Sequence, residues 1–461
     1  MSSFILSPSI YTLFKAIYSK MDTLPVELLQ QILQHLPLAS LKCMRQTSKF
    51  WSTLGQPYLL LPTFRTLPHR PSTLHLQEIA HHPFYSSQIK TINFNHGEVN
   101  EYSGRHNSYF LHYLMVPEER LTQQHITWDA YSSYRQLTDQ YLPQSCDEEV
   151  LTDIFSRLPN LNSLSISLMT CPFPPPPQNP NLNSNSNSNP GSKTTNPDLL
   201  PEIWAFPSTR LLPRVATVER MTSLTSAISA NISTLSISTL SHDRLPFELF
   251  FQNASKMDKI APAFTHLTSL TLYIDYSDLP NDTHATAAFR GLGRCLRAAI
   301  GLKVLELAFR GRRKVDVRPL LEDLVEDGFL WEGLERVQFE GVITTADDLG
   351  AFLVRHKASL RVVTLGGEGV RAKRQPVNGG MFLEGGSWRA LVERLGKEMG
   401  ECEVFMWGDC KGLESGERWV LEEKREAEEV VGANDAEAMG MQHEVVVNYD
   451  DAIYILTDDV G

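Results

Sequence analysis

The sequence predicts an α/β protein in two parts, a small helical module near the N-terminus and then an irregular α/β solenoid. Two observations carry this prediction. Apolar residues crowd at helical spacing between residues 24 and 51. Further on, a three-residue apolar pattern recurs six times between Leu161 and Leu365, with helix-patterned stretches between its copies. A chain of 461 residues allows two to four domains, at roughly 100–200 residues each.

Composition narrows the function classes. Hydrophobic residues make up 42% and charged residues 21%, ordinary globular usage that excludes collagen-like, fully disordered and membrane-bundle chains. The six cysteines (43, 146, 171, 295, 402, 410) show no CxxC spacing and read as reduced core thiols of an intracellular protein. The net charge of −12 is concentrated: fourteen Asp or Glu against three Lys or Arg lie between residues 412 and 461, a balance of −11. The remainder, at −1, lacks the cation surplus of a nucleic-acid-binding domain. Two basic clusters, residues 310–314 (RGRRK) and 371–374 (RAKR), read as solvated loops.

Residues 1–20 contain no acidic side chain, and their interrupted apolar run is too short to span a membrane. Without the basic start of a secretory signal or the arginines of a transit peptide, they read as a disordered leader. No membrane contact is expected, and the expected location is cytoplasmic or nuclear.

In the helical module, Thr23 can cap a first helix whose first turn holds Pro25 and Glu27. Leu28, Leu29, Ile32, Leu33 and Leu36 then form a broad apolar face. Pro37 stops that helix, and Ser40 starts a second one containing Leu41, Met44 and Arg45. Phe50, Trp51 and Leu54 supply a third apolar cluster. Three short helices cannot bury this much aliphatic surface among themselves, so the excess must pack on another chain or domain.

The recurring pattern places apolar residues at positions 1, 4 and 6: Leu161-Leu164-Ile166, Ile232-Leu235-Ile237, Leu267-Leu270-Leu272, Leu302-Leu305-Leu307, Leu334-Val337-Phe339 and Leu360-Val363-Leu365. Its central residues are 71, 35, 35, 32 and 26 apart. Positions 4 and 6 put two side chains on one face of a strand. Helices are expected over residues 147–157, over 286–299 continuing to Ile300, from a Thr344-Thr345 cap through Leu353, and from Ser387 through Leu395. A strand–helix unit at this period is a solenoid signature, since each unit buries its apolar face only against its neighbours. The Pro/Asn/Ser run at 172–197 reads as a disordered surface insertion. The weakly periodic Tyr/His-rich stretch from 84 to 141 is assigned to the first, irregular repeats. Residues 417–431 read as a charged helix, and 443–456 as two short strands.

Residues 24–51 resemble the F-box. Leu24, Pro25, Glu27, Leu28, Leu29, Ile32, Leu33 and Leu36 follow its first-helix pattern, and Ser48-Lys49-x-Trp51 its close. Thr47-Ser48 departs from the family's usual apolar pair, which would weaken packing in the third helix. The rest looks like the irregular leucine-rich-like repeats that follow the F-box in fungal proteins: LPNLNSLSIS at 158–167, LTSLTL at 267–272, and the helix from Gly386-Ser387-Trp388. The resemblance divides the chain into a leader (1–20), an F-box (21–62), a leucine-rich-like repeat domain (63–411) and an acidic C-terminal segment (412–461).

The resemblance also implies a role. F-box proteins are substrate receptors of SCF-type cullin ubiquitin ligases. The F-box docks on a Skp-type adaptor, and through it on cullin, while the repeats hold a protein substrate. The implied adaptor-binding residues are Leu24, Pro25, Glu27, Leu28, Leu29, Ile32, Leu33, Leu36, Pro37, Leu41 and Trp51, some of which must serve the module's own core. Seven Lys or Arg against two Asp or Glu in the first seventy residues suit an acidic adaptor.

No enzymatic activity, metal or cofactor is expected. HExxH, GxSxG and GxxxxGK[ST] are absent from the sequence. Gly291-Leu-Gly293 lacks the third glycine of a dinucleotide fingerprint and falls within a helix pattern. His81-His82 precedes Pro83 and reads as a loop. The competing reading is a non-catalytic scaffold with leucine-rich-like repeats and no ligase function.

Overall fold

The computed structural model describes residues 24–59, 62–96, 98–99, 132–168, 209–210, 214–237, 245–276, 282–310, 314–369 and 379–427. The expected leader, the insertion at 172–197, residues 371–374, Cys171 and the strands expected over 443–456 lie outside the described residues.

Three short helices come first: α1 (Val26–Gln34), α2 (Leu38–Arg45) and α3 (Lys49–Leu54). From Thr63 onward the chain alternates strand and helix. The principal strands are β1 (Thr63–Thr66), β2 (Thr91–Asn95), β3 (Ser163–Ser167), β4 (Thr234–Ile237) and β5 (Ser269–Asp275), then β6 (Val304–Arg310), β7 (Arg336–Glu340), β8 (Val362–Gly366), β9 (Glu403–Gly412) and β10 (Arg418–Glu426). Between them run α4 (Ser72–His81), α5 (132–145), α6 (Glu148–Ser156), α7 (Arg214–Ser226), α8 (Ala254–Ile260), α9 (Asp282–Ala298), α10 (Arg318–Val325), α11 (Ala346–Arg355) and α12 (Trp388–Met399).

β1 to β9 lie side by side in chain order, and each consecutive pair is parallel. Parallel neighbours need a crossover, and every crossover here carries a helix. Short strands at Phe382–Leu383, Val342–Thr344 and Val315–Asp316 extend the sheet from the far end of β9.

The register explains the sequence repeat. The six central residues stand in one row, Leu164 beside Leu235, Leu270, Leu305, Val337 and Val363. The third positions form the next row, from Ile166 to Leu365. None of the eighteen pattern residues is more than 1% exposed. Two further strands extend these rows. On β2, Ile92 and Phe94 pair with Leu164 and Ile166; on β9, Val404 and Met406 pair with Val363 and Leu365.

Several local expectations hold. Asp147 caps α6 by accepting from Glu149 and Val150 N–H, Thr345 caps α11, and Ser387 caps α12. Gly291 and Gly293 sit inside α9, where a Cβ would strike the Phe250 carbonyl and the Asp323 carboxylate; they allow close approach of neighbouring chain.

Other expectations need correction. Residues 418–426 form β10, antiparallel to β9, where a helix was expected, so the sheet runs past the boundary placed at 411. Alternation decides it: Trp419 and Leu421 pack on the main core while Val420 faces out. Ile300 lies in the turn after α9, 65% exposed, rather than on the helix's apolar face. Arg310 and Lys314 are not solvated. Arg310 pairs with Glu340 at 3.2 Å, their side chains 4% and 2% exposed. Lys314 donates to the Gly380 carbonyl at 2.9 Å, and burial pulls its ammonium down to about 8. Cys295 and Cys410 are buried, Cys146 and Cys402 half-buried and Cys43 exposed, all five free. The core-thiol reading therefore fails for Cys43.

Candidate functional site: an apolar face on the N-terminal helices

The N-terminal helices have a core of their own. Leu29, Leu33, Leu41, Met44 and Trp51 are buried together, with Leu36, Leu54, Tyr58 and Leu59 packed around them. This cluster is separate from the one beneath the sheet. The side chain of Gln56 touches Tyr85 Oη at 3.4 Å, linking the module to the segment before β2.

Local chemistry fixes the module's shape. Pro25 and Pro37 occupy the positions before α1 and α2, where a missing N–H costs nothing. α1 therefore starts at Val26, two residues later than a Thr23 cap implies, with Glu27 in its first turn. The second helix begins at Leu38, so Ser40 lies inside it. Thr23 lies outside the described residues. Ser48 accepts from Trp51 N–H at 3.2 Å and caps α3, while Thr47 donates to the Met44 carbonyl at 2.6 Å. The polar Thr47-Ser48 pair thus closes one helix and opens the next. Arg45 Nε donates to the Ser52 carbonyl at 3.0 Å, tying α2 to α3.

One side of α1 remains uncovered. Leu28 and Ile32, one turn apart, are 45% and 36% exposed, and Leu24 just before the helix is 36% exposed. With Gln31, Gln34 and His35 they line a shallow groove. A small soluble module rarely leaves three large aliphatic side chains in one row unless something covers them. Val26 and Phe50, at 44% and 45%, are also open.

The sequence-derived docking set therefore divides. Leu24, Leu28 and Ile32 face outward together, joined by the exposed Pro25, Glu27 and Pro37. Leu29, Leu33, Leu41 and Trp51 point into the module's own core, and Leu36 is half-buried beside them. Val26 and Phe50 are outward-facing residues that sequence reasoning left out; no periodicity distinguishes them from core positions.

Elsewhere the buried polar groups look structural. Among the described residues no cluster of three or more His, Cys, Asp or Glu could hold a metal ion. His96 Nδ1 lies 3.9 Å from Cys146 Sγ. Burial, reinforced by Arg220, pulls this imidazole down to about 3, and burial pushes the Cys146 thiol up, so neither group is poised for proton transfer or nucleophilic attack near neutral pH. Among the described residues, no helix is long and apolar enough to cross a membrane.

The three helices thus form a module with a private core and one open aliphatic row. The F-box-like family model matches residues 21–59, the span these helices occupy, and the chain carries an F-box-like domain there. Such domains are typically non-catalytic, and their presence suggests binding to a Skp-type adaptor of SCF complexes. No curated protein matches the chain.

Proposed function

We propose that this chain is the substrate-receptor subunit of an SCF-type cullin ubiquitin ligase, acting in the cytoplasm or nucleus. The F-box-like module docks on a Skp-type adaptor through Leu24, Leu28 and Ile32, and the adaptor joins it to cullin. The region from residue 63 onward, read as irregular leucine-rich-like repeats, holds a protein substrate. The observation that supports this most is the aliphatic row standing open on α1 although the module has its own closed core. This is helix-in-groove recognition.

The chain itself does no chemistry in this reading. It holds a substrate lysine near a charged ubiquitin-conjugating enzyme, and its contribution is local concentration set by geometry. A sheet whose strands are each pinned to the next holds that geometry better than a flexible tether.

The test is co-purification. Adaptor and cullin should both accompany the full-length protein, and both should be lost with Leu28→Ala plus Ile32→Ala. Adaptor without cullin would leave a scaffold, and neither would end the proposal.

A further inference from the structure

The aliphatic row on α1 has a candidate occupant within the chain itself. Leu24, Leu28 and Ile32 stand open along one flank of the module, with Gln31, Gln34 and His35 as the polar rim of their groove. Leu24 and Ile32 are eight residues apart, roughly 12 Å at the helical rise. The chain that precedes Leu24 lies outside the described residues and enters the groove at this end.

Residues 9–20 (SIYTLFKAIYSK) carry the complementary pattern. Ile10, Leu13, Phe14, Ile17 and Tyr18 recur at i, i+3, i+4, i+7 and i+8, while Thr12, Lys15 and Ser19 fall on the opposite side. Ser9 precedes the first of them and is a favourable N-cap. Ile10 and Tyr18 are also eight residues apart, so a helix here presents an apolar stripe as long as the row. Charge agrees with this pairing: residues 1–20 carry Lys15 and Lys20 and no acid, and Glu27 stands in the first turn of α1.

The connection favours this occupant over any separate chain. Only residues 21–25 lie between the two segments, the loop length that joins antiparallel helix pairs. A segment tethered so closely meets the row at an effective concentration on the order of millimolar.

We propose that residues 9–20 fold back as an amphipathic helix on the aliphatic row of α1 and keep it closed until the adaptor displaces them. In this antiparallel pair Ile17 and Tyr18 come beside Leu24, Leu13 and Phe14 beside Leu28, and Ile10 beside Ile32. The inference rests on the adaptor-docking reading above and adds a regulation of the same site: the chain hides its own docking row. A contact of a few tenths millimolar, held at millimolar effective concentration, is closed roughly four-fifths of the time. Because the adaptor meets only the open fraction, closure weakens its binding about fivefold.

The test compares the purified full-length chain, the chain lacking residues 2–20, and full-length Leu13→Glu plus Ile17→Glu. Without adaptor, hydrogen exchange at residues 10–20 of the wild type should be slowed about fivefold, and the Leu13/Ile17 pair should abolish this. Both altered chains should bind a Skp-type adaptor about fivefold more tightly than wild type. Unprotected amides at residues 10–20, or equal adaptor affinity in the three proteins, would overturn the inference and leave the adaptor reading standing. Protection that fades on dilution would assign the contact to a second copy and overturn the tethered arrangement. Adaptor bound by none of the three, the leaderless chain included, would overturn the adaptor reading itself.

Discussion

Adjacent leucines on α1 should behave oppositely when truncated. Leu29 is 0% exposed in a cluster of five buried residues, whereas Leu28 is 45% exposed. Leu29→Ala removes buried methyl groups and leaves a cavity, a change that costs about 2–5 kcal/mol. A module of under forty residues rarely has more than about 3–5 kcal/mol to lose, so Leu29→Ala should unfold it. The sheet should keep its stability, because its core is a separate cluster. Leu28→Ala should change stability by less than about 0.5 kcal/mol. Hydrogen exchange read by mass spectrometry resolves this: Leu29→Ala should strip protection from residues 26–54 and leave β3 to β8 protected, and Leu28→Ala should alter neither. Equal loss of protection in the two variants, or loss that spreads into the sheet, would refute the separation of the two cores.

Three further outcomes follow. Glu340→Ala removes the carboxylate that pairs with buried Arg310 and should cost about 3–5 kcal/mol in denaturant unfolding, more than Glu340→Ala combined with Arg310→Met. His96 is neutral in the folded protein and titrates at about 3 against 6.5 unfolded, so the unfolded state binds the extra proton as pH falls below 6.5. Its contribution is fully present above that value and is lost toward pH 3, by about 2 kcal/mol at pH 5; His96→Leu should flatten this part of the stability–pH curve. Burial raises the Cys295 and Cys410 thiols to about 12 and about 11, so under native conditions alkylation should label exposed Cys43 first and these two last.

Much of the sheet was legible because its strands obey one steric rule. Each must turn an apolar residue inward and then place two more on a buried face, and six strands do so with apolar residues at every position. Ile89-Ile92-Phe94 obeys it too and was readable; the 72-residue gap to Leu164, much of it the weakly periodic Tyr/His-rich stretch, hid its place in the row. The unit at β9 was harder, because Glu401 stands where the first apolar residue belongs. β10 misled because its Glu, Lys and Arg spacing suits a helix, whereas charges on an edge strand serve to block further strand pairing. Arg310 and Lys314 looked like loop cations because nothing in the sequence shows that Glu340, thirty residues away from Arg310, comes to lie beside it.

The open aliphatic row was legible as a set and not as a sorting. Leu28, Leu29, Ile32 and Leu33 form one continuous apolar arc, so periodicity cannot say which edge of the arc turns inward. Packing decides it: Trp51, Leu41 and Met44 close over Leu29 and Leu33 and leave Leu28 and Ile32 outside.

The central claim is that this open row is completed by another polypeptide, and calorimetric titration of the purified full-length chain with a Skp-type adaptor tests it most directly. Leu28 and Ile32 still show 45% and 36% of their surface. Covering the remainder is worth about 1 kcal/mol each, from 1.5–3 kcal/mol for a fully buried side chain. The account predicts measurable binding to wild type, roughly thirtyfold weaker for Leu28→Ala plus Ile32→Ala, with the module still folded. Equal affinity for the two proteins, or no heat of binding with wild type, would contradict it.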